Sequence, residues 1–309
     1  MSFINFKGGV GKTTLAFQVG CYIANLGEKV LLIDVDHQSS LSVTVMGKDW
    51  DKAVSDKKTI DQIFKSISGN SLMPGNEIIH EPESSLHKGY PNLRIVPSAL
   101  SLDETEIELT STTVGDPILS EWRKRTLICE WLNQNSIDEA FDYVIFDCPP
   151  ATKIVTQNAL AASHGFVVPT IPDAVSVRGT PHLTNQMMNK IESQFNSLSG
   201  FLKTKGMNPV PTFVSQRKFI GIVISRARTT GGRSGYTNDA TENMNLLRQK
   251  YKDSDFIDPV IKEGVGVSES MTMGWPVYDF PTVQNIGGQG FISTYENVSQ
   301  EIKDRIDNI

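Results

Sequence analysis

The chain has 309 residues, of which 39% are hydrophobic and 21% charged, and its formal net charge is −6. These are ordinary globular values, and the negative charge taken alone argues against a protein that binds nucleic acid through a wholly basic surface. The three cysteines have no C-x-x-C spacing, which fits neither a disulfide framework nor a zinc site, and no apolar run approaches the roughly 18 residues of a membrane span. No leader precedes the first apolar segment, so we expect a cytoplasmic protein.

Apolar segments typical of buried parallel strands alternate with segments of helical periodicity. We predict strands at 1–5, 29–36, 92–98, 141–150, 164–173 and 218–228, with short ones at 256–261 and 275–280. We predict helices at 13–27, 101–110 and 118–134. The segment 66–92 is rich in Gly, Pro, Ser and Asn and indicates a loop or insertion. This alternation predicts one α/β domain over 1–309, a doubly wound, mostly parallel sheet flanked by helices.

The first predicted strand runs into a glycine-rich loop, N-F-K-G-G-V-G-K-T-T (5–14), and a predicted helix follows. A strand, a glycine turn and a helix N-terminus together form an anion site, because backbone N–H groups and the helix dipole favour negative charge. The end of the loop has the G-K-[ST] spacing of a P-loop, although Phe6 replaces its first glycine. The residues predicted to surround a nucleotide's phosphates are Gly8, Gly9, Val10, Gly11, Lys12, Thr13 and Thr14.

The P-loop pattern also assigns roles within the loop. Lys12 is expected to reach the β- and γ-phosphates, the Thr13 hydroxyl to bind Mg²⁺, and Thr14 to bond the α-phosphate. Three acids follow buried strands, at the sheet edge where ligands bind in open α/β folds. Asp34 and Asp36 end the strand at 29–36, and Asp147 lies at the end of the apolar run that begins at residue 141.

Several of these segments resemble the ParA/MinD family of ATPases. K-G-G-V-G-K-T-T (7–14) is similar to the family's deviant Walker A motif, in which the residue before the first lysine varies, so Phe6 is no defect. D-V-D-H-Q-S-S (34–40) resembles D-x-D-P-Q-[GS], with His37 in place of proline, and 147–160 resembles the second switch. The resemblance covers most of 1–280 and is weak at 48–92. It implies a P-loop ATPase that uses ATP and Mg²⁺ and forms a homodimer in the ATP state.

The resemblance further implies roles for individual residues. The extra lysine of the family, here Lys7, reaches across the dimer interface to the other subunit's nucleotide, as an arginine finger does. Asp36 would position the attacking water, Asp34 would support the Mg²⁺ shell or Lys12, and Asp147 would hold Mg²⁺ through water. The implied catalytic residues are thus Lys7, Lys12 and Asp36, and the implied metal residues are Thr13, Asp34 and Asp147. The family's Asn-Arg pair at adenine corresponds here to Ser225 and Arg226.

Residues 217–252 carry eight Lys and Arg against two acids, an excess of six positive charges within a negative chain. ParA-like members of the family bind DNA non-specifically as ATP-bound dimers, which suits such a segment. No helix-turn-helix precedes the loop, so we expect no operator recognition. The residues predicted to contact DNA are Arg228, Arg233, Arg248 and Lys250.

Together these features predict a slow, nucleoid-associated ATPase that partitions a plasmid or chromosome. A ParB-like or other cargo adaptor is the expected partner that stimulates hydrolysis. Two alternatives stay open: an ATPase that positions a protein organelle or receptor cluster on the nucleoid, and a MinD-like membrane-patterning ATPase. Residues 295–309 contain two cations and four acids, a poor composition for an anionic membrane, so no membrane partner is expected.

Overall fold

The computed structural model describes residues 1–68, 71–230, 235–280 and 289–309. Within them, strands from the whole length of the chain form one sheet in the order β3-β2-β4-β1-β5-β6-β7, and all neighbouring pairs are parallel. The strands are β1 (Ser2–Phe3), β2 (Val30–Asp34), β3 (Leu93–Val96), β4 (Tyr143–Asp147), β5 (Gly165–Thr170), β6 (Lys218–Ile224) and β7 (Phe256–Ile257). This arrangement confirms the predicted parallel sheet flanked by helices.

Helices cover both faces of the sheet. Those of the first half are α1 (Lys12–Asn25), α2 (Ser40–Met46), α3 (Asp49–Ser55), α4 (Asp61–Lys65), α5 (Ser84–Gly89), α6 (Leu102–Ser111), α7 (Pro117–Gln134) and α8 (Ile137–Ala140). Those of the second half are α9 (Ile154–Ala161), α10 (Ala174–Pro181), α11 (Met188–Thr204), α12 (Asn238–Arg248), α13 (Val265–Thr272) and α14 (Gln289–Asp307). A π-helical turn, His182–Met187, joins α10 to α11. None of the described helices combines the length and the apolar character that crossing a membrane requires.

The apolar runs predicted as strands are buried on both faces, as expected for a parallel sheet between helices. In β2, Leu31 and Ile33 enter one hydrophobic core, and Val30 and Leu32 enter the core on the opposite face. Every residue of β2 is buried, which explains its continuous rather than alternating apolar sequence. The observed strands lie inside the predicted ranges and are shorter, because the flanking residues belong to the loops at the sheet edges.

The strand predicted at 275–280 is wrong. These residues form turns: the Trp275 N–H donates to the Ser270 carbonyl, and the Asp279 N–H donates to the Pro276 carbonyl. Val277 is fully buried against the α1 side of the sheet, and its N–H donates to the Gln18 side chain at 3.0 Å. The apolar character of this segment therefore reflects helix packing and not strand pairing, and Pro276 has no N–H for a ladder.

The segment predicted as a loop or insertion at 66–92 contains short structure of its own. Two 3₁₀ turns, Ser66–Ser68 and Asn76–Ile78, precede α5. Ile78, Leu86 and Tyr90 are almost completely buried in the cores that flank the sheet. Parts of this Gly- and Pro-rich segment thus pack against the rest of the molecule, which its composition does not indicate.

The parallel register brings the functional loops together. Ser2 of β1 is aligned with Phe146 of β4, and Asp34 at the end of β2 is aligned with Asp147 at the end of β4. Because all strands point the same way, the loops after β1, β2, β4, β5 and β6 meet at one edge of the sheet, where ligands bind in such folds.

A glycine next to this edge allows a test of the packing. Gly274 has φ +68°, and a Cβ there would lie 2.6 Å from the backbone oxygen of Thr44 in α2. We expect Gly274→Ala to lower the free energy of unfolding by about 1–3 kcal/mol, because an alanine is strained in the left-handed region and meets backbone. Urea unfolding measures this change.

The matched control for Gly274→Ala is Gly200→Ala on α11, where the described residues leave a Cβ free space out to 4 Å. An alanine in a helix interior is expected to be neutral or to stabilise by about 0.5–1 kcal/mol. Equal unfolding midpoints for the two variants would contradict the described packing of residues 271–278 on α2.

Candidate nucleotide-binding site

The loop between β1 and α1 has the backbone conformation that a phosphate cradle requires. Gly9 has φ +73° and Gly11 has φ +84°, in the left-handed region that glycine adopts without strain. A Cβ on Gly9 would lie 3.6 Å from the guanidinium of Arg226. The first turn of α1 contains no acid, and within the described part of the chain no side chain caps it. Its N–H groups are therefore available to an anion.

Lys12, the first residue of α1, lies inside the site. It is 6% exposed, and its Nζ donates to the carbonyl of Lys7 at 3.3 Å. Burial lowers the pKa of Lys12, and the charges of Asp147 and Asp36 oppose this effect without cancelling it. A cation that is removed from water at a helix N-terminus is suited to neutralise phosphate charge.

Asp147 is a fully buried carboxylate at the end of β4, and neither of its oxygens has a hydrogen-bond partner among the described residues. Burial, and then the charge of Asp34, raise the pKa of Asp147, while Lys12 and Thr13 oppose the shift. A buried carboxylate that no direct hydrogen bond within the described residues stabilises is costly, so this geometry favours a bound cation beside Asp147. The residues present therefore fit Mg²⁺, with Asp147 and Thr13 as the groups that would hold it.

Asp34 is equally buried, but its oxygens already have partners. One oxygen accepts from the Ser42 N–H at 2.9 Å and from the Ser42 hydroxyl at 2.7 Å, and the other accepts from the Asp36 N–H at 3.1 Å. Burial raises the pKa of Asp34 to about 7, although these hydrogen bonds oppose it. The contacts tie the start of α2 to the end of β2, so Asp34 is an anchor for the loop that carries Asp36. Its role towards magnesium stays a prediction.

Ser42 is a residue that the sequence patterns did not single out. Besides its two bonds to Asp34, its hydroxyl accepts from the Ser98 N–H at 2.8 Å, after β3. Nothing in the spacing indicated a link between α2 and the segment after β3, because such a contact depends on the parallel register. Ser42 thus connects α2, the end of β2 and the segment after β3 at the functional edge.

Asp36 is more exposed than Asp34, which anchors its loop. Its side chain is 14% exposed, and one oxygen accepts from the Gln38 N–H at 3.0 Å. His37, which replaces the proline of the family pattern, has its Nδ1 3.7 Å from the same oxygen. Asp36 contributes to the charge around both Lys12 and Asp147. It is therefore close to the phosphate loop, as an orienting carboxylate must be.

Ser225 and Arg226 follow β6, and their side chains hydrogen-bond to the backbone of the phosphate loop. The Ser225 hydroxyl donates to the Val10 carbonyl at 2.6 Å, and Arg226 donates to the Gly9 carbonyl at 2.7 Å and to Glu263 at 2.9 Å. Ser225 is 3% exposed. Both side chains thus have hydrogen-bond partners within the protein itself. Their contact with adenine stays a prediction.

A cleft of about 680 Å³ adjoins these groups and is large enough for a nucleotide. Its lining includes Gly8, Gly9, Gly11, Lys12, Thr13, Thr14, Asp36, Ser225, Arg226, Lys262, Val265, Met271 and Tyr295. A second cleft of about 750 Å³ lies at the opposite edge of the sheet, next to Tyr143 and His164. That cleft has no glycine loop, and the acids Glu28, Asp138 and Asp142 are part of its lining, which disfavours an anion, so we assign the nucleotide to the first.

The ammonium groups of Lys7 and Lys12 have different partners. Its ammonium pairs with a carboxylate oxygen of Asp173, which follows β5 in the same chain. Both side chains are partly exposed, at 28% and 31%. The structure therefore gives Lys7 an intramolecular partner, and its predicted contact with a second subunit's nucleotide stays a prediction. Asp173 is the second residue that sequence reasoning missed, although an acid after a buried strand was the available signal.

The cations predicted to contact DNA do not share one environment. The Arg228 side chain is 79% exposed and lies 3.6 Å from Glu263. Arg248 bonds Asp258 at 2.9 Å and stacks on Phe256, and Lys250 donates to the Val177 carbonyl at 3.0 Å. Arg233 lies outside the described residues. The acids that pair with these arginines lie outside 217–252, so local composition overstates the free positive charge.

Arg217, another cation of that segment, is buried. Its side chain is 4% exposed and pairs with Glu192 at 2.5 Å. The charge excess counted along the sequence is therefore divided between the interior and the surface.

Comparisons with known proteins agree with this geometry. The family model described as an AAA domain matches residues 1–199. The chromosome partitioning protein ParA of Caulobacter vibrioides is 26% identical over 307 residues, which cover 99% of this chain and 95% of that protein. Two uncharacterised Mycobacterium tuberculosis proteins are 28% identical over 229 residues, which span 73% of this chain but only 63% of their own length.

Solved structures share the fold at low identity. Apo McdA of Cyanothece superposes with a TM-score of 0.66 at 17% identity and covers 98% of both chains. A putative plasmid partition protein of Borrelia burgdorferi, solved with AMPPNP, gives 0.63 at 20% identity over 99% of this chain and 98% of that one. Cobyrinic acid a,c-diamide synthase of Mycobacterium smegmatis, solved with ADP and magnesium, gives 0.59 at 19% over 97% and 91%.

The sheet order, the glycine loop at the N-terminus of α1 and the acids at the strand ends define a nucleotide-binding protein of the P-loop class. The chain belongs to the ParA/MinD-type family of P-loop ATPases. Among the structural relatives, a variant of McdA of Cyanothece has been solved with ATP, and the Mycobacterium smegmatis synthase with an ATP analogue and magnesium.

The different directions of the two lysines generate a test. We expect Lys12→Ala to weaken ADP and ATP binding by about tenfold to a hundredfold, because it removes a buried hydrogen-bonded charge from the phosphates. Lys7→Ala is the matched control, since its ammonium lies outside the cleft on Asp173, and monomer affinity for ADP should not change. Fluorescent-nucleotide titration measures both. Equal losses in the two variants would mean that Lys7 also serves its own subunit's phosphates.

Proposed function

We propose that this chain is an ATP-dependent partition ATPase. ATP closes a homodimer in which Lys7 of each subunit reaches the other subunit's nucleotide, and the closed dimer binds DNA without sequence preference. A ParB-like, cargo-bound partner stimulates slow hydrolysis and releases the dimer.

The observation that carries the proposal is that the two loop lysines lie on different sides of the loop. Lys12 is buried in the nucleotide cleft, and Lys7 lies outside it with a partly exposed ammonium. A small cleft of about 260 Å³ adjoins Asp173, the partner of Lys7, and is also lined by Gly8, Gly9, Arg226 and Glu263 among others. A cation at the outer side of a phosphate loop is suited to a second nucleotide brought by another subunit, which couples nucleotide state to dimerisation.

The cis machinery of hydrolysis follows from the residues of the cleft. The N–H groups of the loop and of α1 bind the phosphates, and Lys12 neutralises part of their charge. Magnesium neutralises further phosphate charge when it is bound. Asp36 orients the attacking water, and the anchor through Asp34 and Ser42 keeps its loop against the sheet. Lys7 of the other subunit would neutralise charge that develops in the transition state.

The proposed cargo is a plasmid or chromosome. Support comes from the printed roles of the relatives: ParA of Caulobacter vibrioides is a chromosome partitioning protein, and the Borrelia burgdorferi neighbour is a putative plasmid partition protein. A ParA-type ATPase that positions a protein assembly would share the nucleotide cycle and differ in its adaptor. Pull-down of the adaptor in ATP separates the two, because a centromere-binding partner carries specific DNA with it.

Among the described cations predicted to contact DNA, Arg228 supports the DNA proposal best. Its side chain is largely exposed, whereas Arg248 and Lys250 are held by Asp258 and by the Val177 carbonyl. A dimer would carry two copies of each cation, and paired weak contacts raise avidity through effective concentration. We therefore expect DNA binding to require ATP and to weaken steeply with salt.

The first test of the cycle replaces the orienting carboxylate. We expect Asp36→Ala to bind ATP and Mg²⁺ but to hydrolyse at least about 100-fold more slowly, because a positioned base or orienting group contributes about this much. The dimer should accumulate in ATP, as followed by light scattering alongside phosphate release. Hydrolysis at the wild-type rate would assign water orientation to another residue, with Asp34 the next to examine.

The second test concerns DNA. We expect wild type to bind duplex DNA in ATP and not in ADP, and Arg228→Ala to reduce the slope of log affinity against log salt by about one unit if the side chain contacts one phosphate. Arg123→Ala on α7 is the control, a half-buried arginine paired with Glu130 and not assigned to DNA. Equal binding in ADP and ATP, or binding insensitive to salt, would rule out the DNA part of the proposal.

A further inference from the structure

The side chain of Lys7 is engaged by its own chain in the single subunit. Its ammonium contacts one carboxylate oxygen of Asp173, while its backbone is fixed separately. The Lys7 N–H donates to the Asn5 side chain at 3.0 Å, and the Asn5 amide donates to the Pro169 carbonyl of β5 at 2.7 Å. The Lys7 carbonyl accepts from Lys12 at 3.3 Å. Only the Lys7 side chain can therefore change partner without disturbing the loop.

Asp173 is held in place independently of Lys7. It is the N-cap of α10, and its other oxygen accepts from the Ser176 N–H at 2.8 Å. Burial opposes ionisation of Asp173, but the hydrogen bonds from Lys7 and Ser176 outweigh it and lower the pKa of this carboxyl. The acid is thus a fixed negative group at a helix N-terminus, where anions are favoured. Removal of Lys7 would leave the cap intact.

We propose that Asp173 is a positioning residue for Lys7, which it holds against its own chain until a second subunit presents a bound triphosphate. The lysine then exchanges the Asp173 carboxylate for the partner's phosphates. This inference rests on the proposed function, because it requires Lys7 to act on the other subunit's nucleotide. It adds a cis contact that competes with dimer closure.

The Lys7–Asp173 ion pair is weak enough for a triphosphate on the second subunit to compete with Asp173 for the lysine. Both partners are about 30% exposed, and ion pairs with this access to water are weak enough to exchange readily. A triphosphate carries several negative charges and prefers charge-assisted hydrogen bonds from a lysine, so it outcompetes one carboxylate. A diphosphate offers less charge, which lets the lysine return to Asp173. The cis contact therefore sharpens the difference between the ATP and ADP states.

The experiment uses Asp173→Asn in the full chain. Asparagine keeps an oxygen that can accept from the Ser176 N–H and caps helices as well as aspartate, but it cannot form an ion pair with Lys7. With AMPPNP bound, we expect the dimer to form more tightly, because two contacts no longer oppose closure. Loss of an exposed ion pair changes an equilibrium by about two- to fivefold per subunit, so the dimer dissociation constant should fall by about 4- to 25-fold. Analytical ultracentrifugation over a range of protein concentrations measures it.

Three controls separate positioning from a general structural effect. Asp173→Glu should restore wild-type dimerisation, since it restores the charge. Asp116→Asn should leave the dimer dissociation constant unchanged. Asp116 is the N-cap of α7, where it accepts from the N–H groups of Ile118 and Leu119, and it also pairs with Lys205 at 3.0 Å. Asp173→Asn in a Lys7→Ala background should have no further effect, because the residue acts through Lys7. Monomer affinity for ADP should not change.

The outcomes distinguish this inference from the proposed function. If Lys7→Ala abolishes AMPPNP-dependent dimerisation while Asp173→Asn dimerises like wild type or more weakly, the inference is overturned and the proposed function stands. If Lys7→Ala dimerises and hydrolyses like wild type, both are wrong. Tighter dimerisation of Asp173→Asn that persists in the Lys7→Ala background would also contradict the inference, since the effect would not pass through the lysine.

Discussion

The burial of the Asp147 carboxylate without a hydrogen-bond partner among the described residues is the constraint on which the site depends. Such a group is costly in the interior unless a cation or donor meets it, and the parallel register fixes it beside Asp34 at the end of the neighbouring strand. Lys12 and Thr13 lie on the other side, at the N-terminus of α1. A cation bound beside Asp147 would offset this cost, and the parallel register brings the groups that would hold a nucleotide and its metal ion to the same sheet edge.

The residues at this edge fall into two groups. One group lines the subunit's own cleft, and Lys7 is proposed to act on the partner's nucleotide. Lys12, Asp36 and the loop N–H groups face the subunit's own cleft, and Asp34 and Ser42 fix the loop that carries Asp36. Ser225 and Arg226 support the outer wall of the loop through the Val10 and Gly9 carbonyls. Lys7, in contrast to Lys12, does not line this cleft and pairs with Asp173. In the proposed cycle this division makes hydrolysis dependent on dimerisation.

The sequence predicted those features that depend on local spacing. Continuous apolar runs indicated the buried strands, and the G-K-T spacing after a strand located the phosphate loop, because both patterns arise from neighbouring residues. Contacts between distant segments could not be predicted. Ser42 meets Asp34 and Ser98 only through strand order, and Lys7 meets Asp173 across 166 positions. The turn at 275–280 has the sequence of a strand because burial against a helix and burial in a sheet favour the same apolar composition.

The central claim is that Lys7 acts on the nucleotide of the other subunit, and mixing two defective variants tests it most directly. In a mixed dimer of Lys7→Ala and Asp36→Ala, the site of the Lys7→Ala subunit has its own Asp36 and receives Lys7 from its partner. If the two variants pair at random, the account predicts that the mixture regains up to about a quarter of the wild-type hydrolysis rate, since half of the dimers are then mixed and each has one complete site out of two. A mixture as inactive as either variant alone, with mixed dimers shown to form, would contradict it.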